Sequence, residues 1–112
     1  TESREFNVVP ARILRRPHML QVLAGMDTTR TIPVTGESLT IGRSTEADLR
    51  IMSSELSRLH LRIEQVREGF RAIDLDSRNG VFLNEVRIHS ATLRDGDTVQ
   101  LGNVVLMYHE GS

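Results

Sequence analysis

The 112-residue chain has no cysteine. That excludes a disulfide framework, a cysteine-ligated zinc or iron–sulfur centre and a thiol nucleophile, and leaves the redox compartment open with a lean toward the cytoplasm. Lysine is missing too, since all 14 basic residues are arginine; a GC-rich genome would produce the same bias, so it carries little weight. Net charge is also scarce. At −1, the balance argues against a nucleic-acid binder, whose basic surface would release counterions from a phosphate backbone, so any anion site must be local. No apolar run approaches the roughly 20 residues of a membrane span, and no signal-peptide pattern opens the chain, so no membrane partner is expected. The first residue is Thr rather than Met, which predicts a piece of a longer protein. The length suits one domain with a modest core.

Residues 1–17, TESREFNVVPARILRRP, hold four arginines and two prolines without a clean period and read as a linker or N-terminal tail. Arg12, Arg15 and Arg16 could form a patch for an anionic partner, although a solvated charged linker is the plainer reading. The domain is expected over 18–112. From His18 onward short apolar runs alternate with turn signals, the pattern of an all-β sandwich or barrel. The runs predict strands at Leu20–Leu23, Thr31–Val34, Ser38–Ile41, Leu49–Ile51, Leu59–Val66, Phe70–Leu75, Val81–Leu83, Val86–Ile88, Thr98–Leu101 and Val104–His109. Pairs such as Thr35-Gly36, Asn79-Gly80 and Asp95-Gly96 punctuate them with residues that tolerate the positive φ of tight turns.

The clearest alternation is Arg58-Leu59-His60-Leu61-Arg62-Ile63-Glu64. A strand sorts Leu59, Leu61 and Ile63 onto one face and the polar residues, His60 included, onto the other, whereas a helix would scatter them. Ser44 to Ala47 could form a helical turn at most.

Three short clusters carry the chemistry. Gly42-Arg43 follows an apolar run, so the glycine permits a turn or a close approach of another chain while the arginine projects from the rim. A guanidinium holds two phosphate oxygens at once, which a lysine point charge cannot. Taken alone the pair is equally an ordinary turn. Ser57-Arg58-Leu59-His60 invites a catalytic reading with Asp74 or Asp76. In a strand, however, residues three apart face opposite sides, and no nucleophile elbow is present. The alternative puts Ser57 and Arg58 on the rim as phosphate donors, with His60 bonding the loop backbone behind them. In Asp76-Ser77-Arg78-Asn79-Gly80, the last pair marks a hairpin turn. Asn84 offers an amide, donor and acceptor together, that could tie adjacent loops.

Metal readings fail on detail. Asp74 to Glu85 matches a calcium loop at its first, third and twelfth positions, but the cation Arg78 occupies the fifth and Gly80 lies one place late. The histidines at 18, 60, 89 and 109 lack ligand spacing, and Gly36 to Gly42 lacks the Lys-Ser/Thr ending of a phosphate-binding P-loop. No cofactor is expected.

The order Gly-Arg, Ser-x-x-His, then Ser-x-Asn-Gly with an Asn soon after resembles the forkhead-associated (FHA) domain, over roughly Leu20 to Tyr108. The resemblance implies an eleven-stranded β-sandwich whose loops at one end bind phosphothreonine peptides. Carried over residue by residue, Arg43 and Ser57 would contact the phosphate with Arg58 nearby, and Asn79 would bond the peptide main chain just after the phosphothreonine. Gly42, His60 and Gly80 would shape those loops, and Asn84 would brace the last of them. The family often has Thr on both sides of the Asn-Gly pair, whereas this chain has Arg78 and Val81. Arg78 could add a phosphate or acidic-residue contact, and Val81 reads as packing.

These residues point to a non-catalytic, phosphothreonine-dependent binding module of a larger signalling or regulatory protein, in the cytoplasm. Its partner is a phosphothreonine protein or peptide, in trans or from the same chain, and no preference for an oligomeric state is legible. Two rivals remain: a phosphate-independent docking or oligomerisation domain on the same fold, and an enzyme built on Ser57 and His60.

Overall fold

Period-two burial runs through most of the longer strands of the chain. A computed structural model of the protein describes residues 17–26 and 30–111; the tail expected over 1–17 lies, Pro17 apart, outside the described residues. Eleven strands follow in order: β1 His18–Ala24, β2 Thr31–Val34, β3 Ser38–Gly42, β4 Leu49–Arg50, β5 Leu61–Val66, β6 Gly69–Asp74, β7 Val81–Leu83, β8 Val86–Ile88, β9 Ser90–Thr92, β10 Thr98–Leu101 and β11 Val104–His109. One sheet has the order β2-β1-β11-β10-β7-β8 and the other β4-β3-β5-β6-β9. Pairing is antiparallel except where two-residue β4 runs parallel to β3. Two facing sheets of alternating strands make an all-β sandwich.

The core between the sheets follows from that alternation. Leu20, Val22, Val99, Leu101, Val104 and Leu106 point inward from the six-stranded sheet, and Ile41, Leu61, Ile63 and Ala72 answer them from the five-stranded one. At one end His18 closes the sandwich. Its Nδ1 accepts the Tyr108 hydroxyl at 2.7 Å and the Gly111 N–H at 3.0 Å, while its ring meets Phe70 edge-on at 4.9 Å.

Several strand expectations change, Leu75 among them, since β6 ends at Asp74. Ser90–Thr92 is a strand, pairing with β6 through Arg71, Ala72 and Ile73; its Ser-Ala-Thr offers too little apolar signal to read. β5 begins at Leu61, not Leu59. Leu59 is 39 % exposed and His60, expected on a polar face, is 0 % exposed, because residues 57–60 form a loop in which strand alternation no longer applies. Ser44 to Ala47 is a turn, as expected, closed by the Ala47 N–H on the Ser44 carbonyl at 3.1 Å. Ile51 falls outside β4 yet stays tied to the sheet, its N–H donating to the Gly42 carbonyl at 2.8 Å.

Register places the motifs at the end opposite His18. Ile41 near the end of β3 pairs with Leu61, the first residue of β5, and Leu61 pairs with Asp74, the last of β6. Val81, the first residue of β7, pairs with Leu101 at the end of β10. The loops after β3, before β5 and between β6 and β7 therefore converge.

Candidate functional site

Close backbone contact builds the first half of the site. A Cβ on Gly42 would collide with the carbonyl of Arg58, so glycine is what lets the two segments touch. Beyond β3 the contact continues as a ladder: Arg43 N–H donates to the Ser57 carbonyl at 3.0 Å and Ser44 N–H to the Arg58 carbonyl at 2.9 Å. The Arg43 side chain is committed at one nitrogen, since its Nε donates to the Leu56 carbonyl at 3.2 Å. Among the described residues its two terminal nitrogens carry no hydrogen bond, and the residue lines a cleft. Behind it, Arg50 Nε donates to the Arg43 carbonyl at 3.0 Å.

His60 joins this half to the next. Its Nδ1 receives the Ser57 backbone N–H at 3.0 Å and so must be unprotonated, which puts the proton on Nε2, where it is donated to the Gly80 carbonyl at 2.8 Å. Ser57 and His60 are thus neighbours, contrary to the strand-based expectation, because they belong to a loop. They do not form a nucleophile–base pair: both ring nitrogens are occupied by backbone groups.

The β6–β7 loop is shaped by short polar side chains. Asp74 Oδ1 accepts the Ser77 N–H and Ser77 Oγ accepts the Gly80 N–H, each at 3.0 Å. Asp76 and Gly80 sit at φ 59° and 84°. The Ser57 hydroxyl oxygen accepts the Arg78 N–H at 2.9 Å, which orients it and leaves its own hydrogen free to donate. Asn79 Nδ2 donates to the Glu55 carbonyl at 2.7 Å, which fixes the amide and leaves its oxygen exposed.

Arg43, Ser57, Arg58 and Arg78 line one cleft of about 390 Å³ together with Ser54, Glu55, Leu56 and Leu59. Gly42, His60, Gly80 and Asn79 stand around it through the bonds just described. Asn84 does not. It lies at the other end of β7, at φ 48°, where its amide bridges Asp97 Oδ1 and the Thr98 N–H, each at 2.9 Å. It braces the β7–β8 turn against β10, far along the sandwich from Gly80. A larger hollow, of about 550 Å³, lies against β5 among Glu37, Arg62, Glu64 and Arg67, where mixed charge offers no convergent donors. Among the described residues no group of three or more histidines and carboxylates could hold a metal ion, and no helix is long and apolar enough to cross a membrane.

Sequence reasoning missed three participants. Arg50 supports Arg43 from the adjoining strand, Glu55 carries Asn79 and lines the cleft, and Arg87 lies over Gly80, its Nε 2.8 Å from where a Cβ would stand. None sits in a recognisable motif, and only the pairing of distant segments brings them here.

The FHA domain family model matches residues 39–102, and the chain belongs to the FHA domain family. It is 35 % identical over 83 residues to an ABC transporter ATP-binding/permease protein of Mycobacterium tuberculosis, covering 70 % of this chain and 10 % of that protein. It is 30 % identical over 93 residues to an oxoglutarate dehydrogenase inhibitor of Corynebacterium diphtheriae, covering 83 % and 65 % respectively. The chain therefore spans less than two thirds of the length of these relatives. A domain solved in a structural and functional analysis of phosphothreonine-dependent FHA domain interactions superposes with a TM-score of 0.72 at 27 % identity, covering 81 % of this chain and 95 % of that one.

Proposed function

We propose that residues 18–112 form a phosphothreonine-dependent protein-binding domain, non-catalytic in itself and part of a larger cytoplasmic signalling or regulatory protein. The observation that carries this reading is that Arg43 and Ser57 line one cleft, with the Arg43 Nε spent on the Leu56 carbonyl and the Ser57 oxygen on the Arg78 N–H, while among the described residues the Arg43 terminal nitrogens and the Ser57 hydroxyl hydrogen carry no bond. A phosphate brings about −1.5 to −2 charge and three acceptor oxygens at neutral pH, which suits a preformed cradle of this kind. Arg58 and Arg78 extend the cradle, and Asn79 holds the peptide main chain after the phosphothreonine without reading its sequence. Gly42, His60 and Gly80 are the scaffold of the loops, and Asn84 is a brace of the fold. Phosphorylation of the partner draws on ATP, which favours the cytoplasm.

Calorimetry with one peptide in phosphothreonine, phosphoserine and unmodified forms tests the reading. Binding confined to the phosphorylated forms, tighter for threonine, is expected. Equal affinity for all three would replace it with phosphate-independent docking.

A further inference from the structure

Along one edge of the cleft the chain runs Glu55, Leu56, Ser57, Arg58, and each residue marks a different place. Arg43 reaches the Leu56 carbonyl and Ser57 presents its hydroxyl, so the phosphate position is central. Asn79 donates to the Glu55 carbonyl, two residues before Ser57, and Arg58 follows Ser57 in the chain. In an extended peptide residues advance by about 3.3–3.6 Å each. If Asn79 holds the main chain just after the phosphothreonine, the residues that follow pass Glu55 and those that precede pass Arg58.

Glu55 is the lone carboxylate among three guanidiniums lining this cleft. Beside an anion cradle a carboxylate repels the phosphate, a cost with no return unless it faces a cation. Among the described residues the ion pair present is Arg62–Glu64 at 4.0 Å, and no described arginine lies within ion-pair distance of Glu55. Nor does it swing freely at its root. Its N–H donates to Ser53 Oγ at 3.2 Å, its carbonyl carries Asn79, and its Cβ lies against Gly102, whose own Cβ would come within 2.8 Å. The root of the side chain is anchored at the rim, and the residue is exposed.

We propose that Glu55 is a specificity-determining residue: it selects peptides with a basic residue C-terminal to the phosphothreonine and rejects those with an acidic one there. The proposal rests on the phosphothreonine reading. Arg58 gives the opposite rim the opposite sign, so the cleft reads the order of charge along its ligand and not its net charge.

The test uses phosphothreonine peptides with Ala flanks, into which Arg or Asp is placed at the following positions or, as a control, at the preceding ones; each is measured at low salt by fluorescence anisotropy. An exposed ion pair and the matching repulsion lead to binding of the Arg-after peptide about three- to tenfold tighter than the Asp-after peptide. That ratio should fall toward one in Glu55→Gln and invert in Glu55→Arg, while Arg at the preceding positions gains nothing. An unchanged ratio in Glu55→Gln overturns the proposal, as does an equal gain from Arg on either side. Unphosphorylated versions run alongside separate this failure from failure of the phosphothreonine reading: if they bind as well as the phosphorylated peptides, that reading falls and the proposal with it.

Discussion

His60 and Gly80, 20 residues apart in the chain, are joined by a 2.8 Å hydrogen bond inside the protein, from the imidazole Nε2 to the glycine carbonyl. The other ring nitrogen takes the Ser57 N–H, so one buried side chain sets the spacing of two loops. Removing it leaves a cavity and two backbone groups without partners. His60→Ala should cost about 2–4 kcal/mol of stability in denaturant unfolding. Ser57→Ala loses one partly exposed bond to Arg78 and should cost about 1 kcal/mol or less, with its main effect on affinity. Equal losses of stability would show that the histidine is not the brace.

Arg43 is expected to carry the phosphate contact. A hydrogen bond to a charged group is worth about 1.5–3 kcal/mol, so Arg43→Ala should weaken phosphopeptide binding at least about tenfold with the fold intact. Arg43→Lys should recover part of the loss, because the two-pronged geometry goes while the charge stays. Arg50→Gln, whose side chain touches the site through the Arg43 carbonyl, should weaken binding by roughly two- to threefold, the scale of one exposed bond. Calorimetry of the three variants ranks them. Unchanged affinity in a folded Arg43→Ala protein would dismiss the contact.

The strands were legible in the sequence wherever side chains alternated over a buried face, as in β5 and β11, and that alternation is a local property. β9 was not legible: Ser90, Ala91 and Thr92 form a strand because Arg71 to Ile73 offer a ladder, and nothing in three small residues announces a partner. The same contrast divides the site. Gly42, Arg43, Ser57 and Asn79 stood out as residue types at spacings a known family uses. The positions of Arg50, Glu55 and Arg87 depend on segments that meet only after folding. Residues 57–60 show the reverse: the periodic run in the sequence extends past the real strand start, and His60, expected on a polar face, is fully buried.

Tyr108 offers a probe free of overlap, since it is the single tyrosine of the chain. Burial, then the charges of Glu110 and Asp95, push its pKa up from 10.0 to about 12. The folded state therefore holds the phenolic proton after the unfolded chain has lost it. The associated stability is fully present below pH 10 and is lost as pH rises toward 12. Absorbance titration of tyrosinate should give a midpoint near 12 in the native protein and near 10 in denaturant. A native midpoint near 10 would contradict the burial of the hydroxyl against His18.

The ligand's own titration separates a phosphate cradle from phosphate-independent docking. With a second phosphate pKa near 6, lowering the pH from about 7.5 to 5.5 reduces the dianion roughly fourfold, and a cradle that prefers it should lose affinity in proportion. Aspartate or glutamate in place of phosphothreonine should bind poorly, because a carboxylate brings one charge and fewer oxygens to Arg43 and Ser57. Added salt should weaken the complex modestly, since few charges are paired. A docking surface indifferent to phosphate predicts none of these changes. Titration of one peptide, phosphorylated and not, at both pH values therefore decides the matter: equal affinities throughout would refute phosphothreonine recognition for that partner, and failure across a diverse peptide library would refute it for the domain.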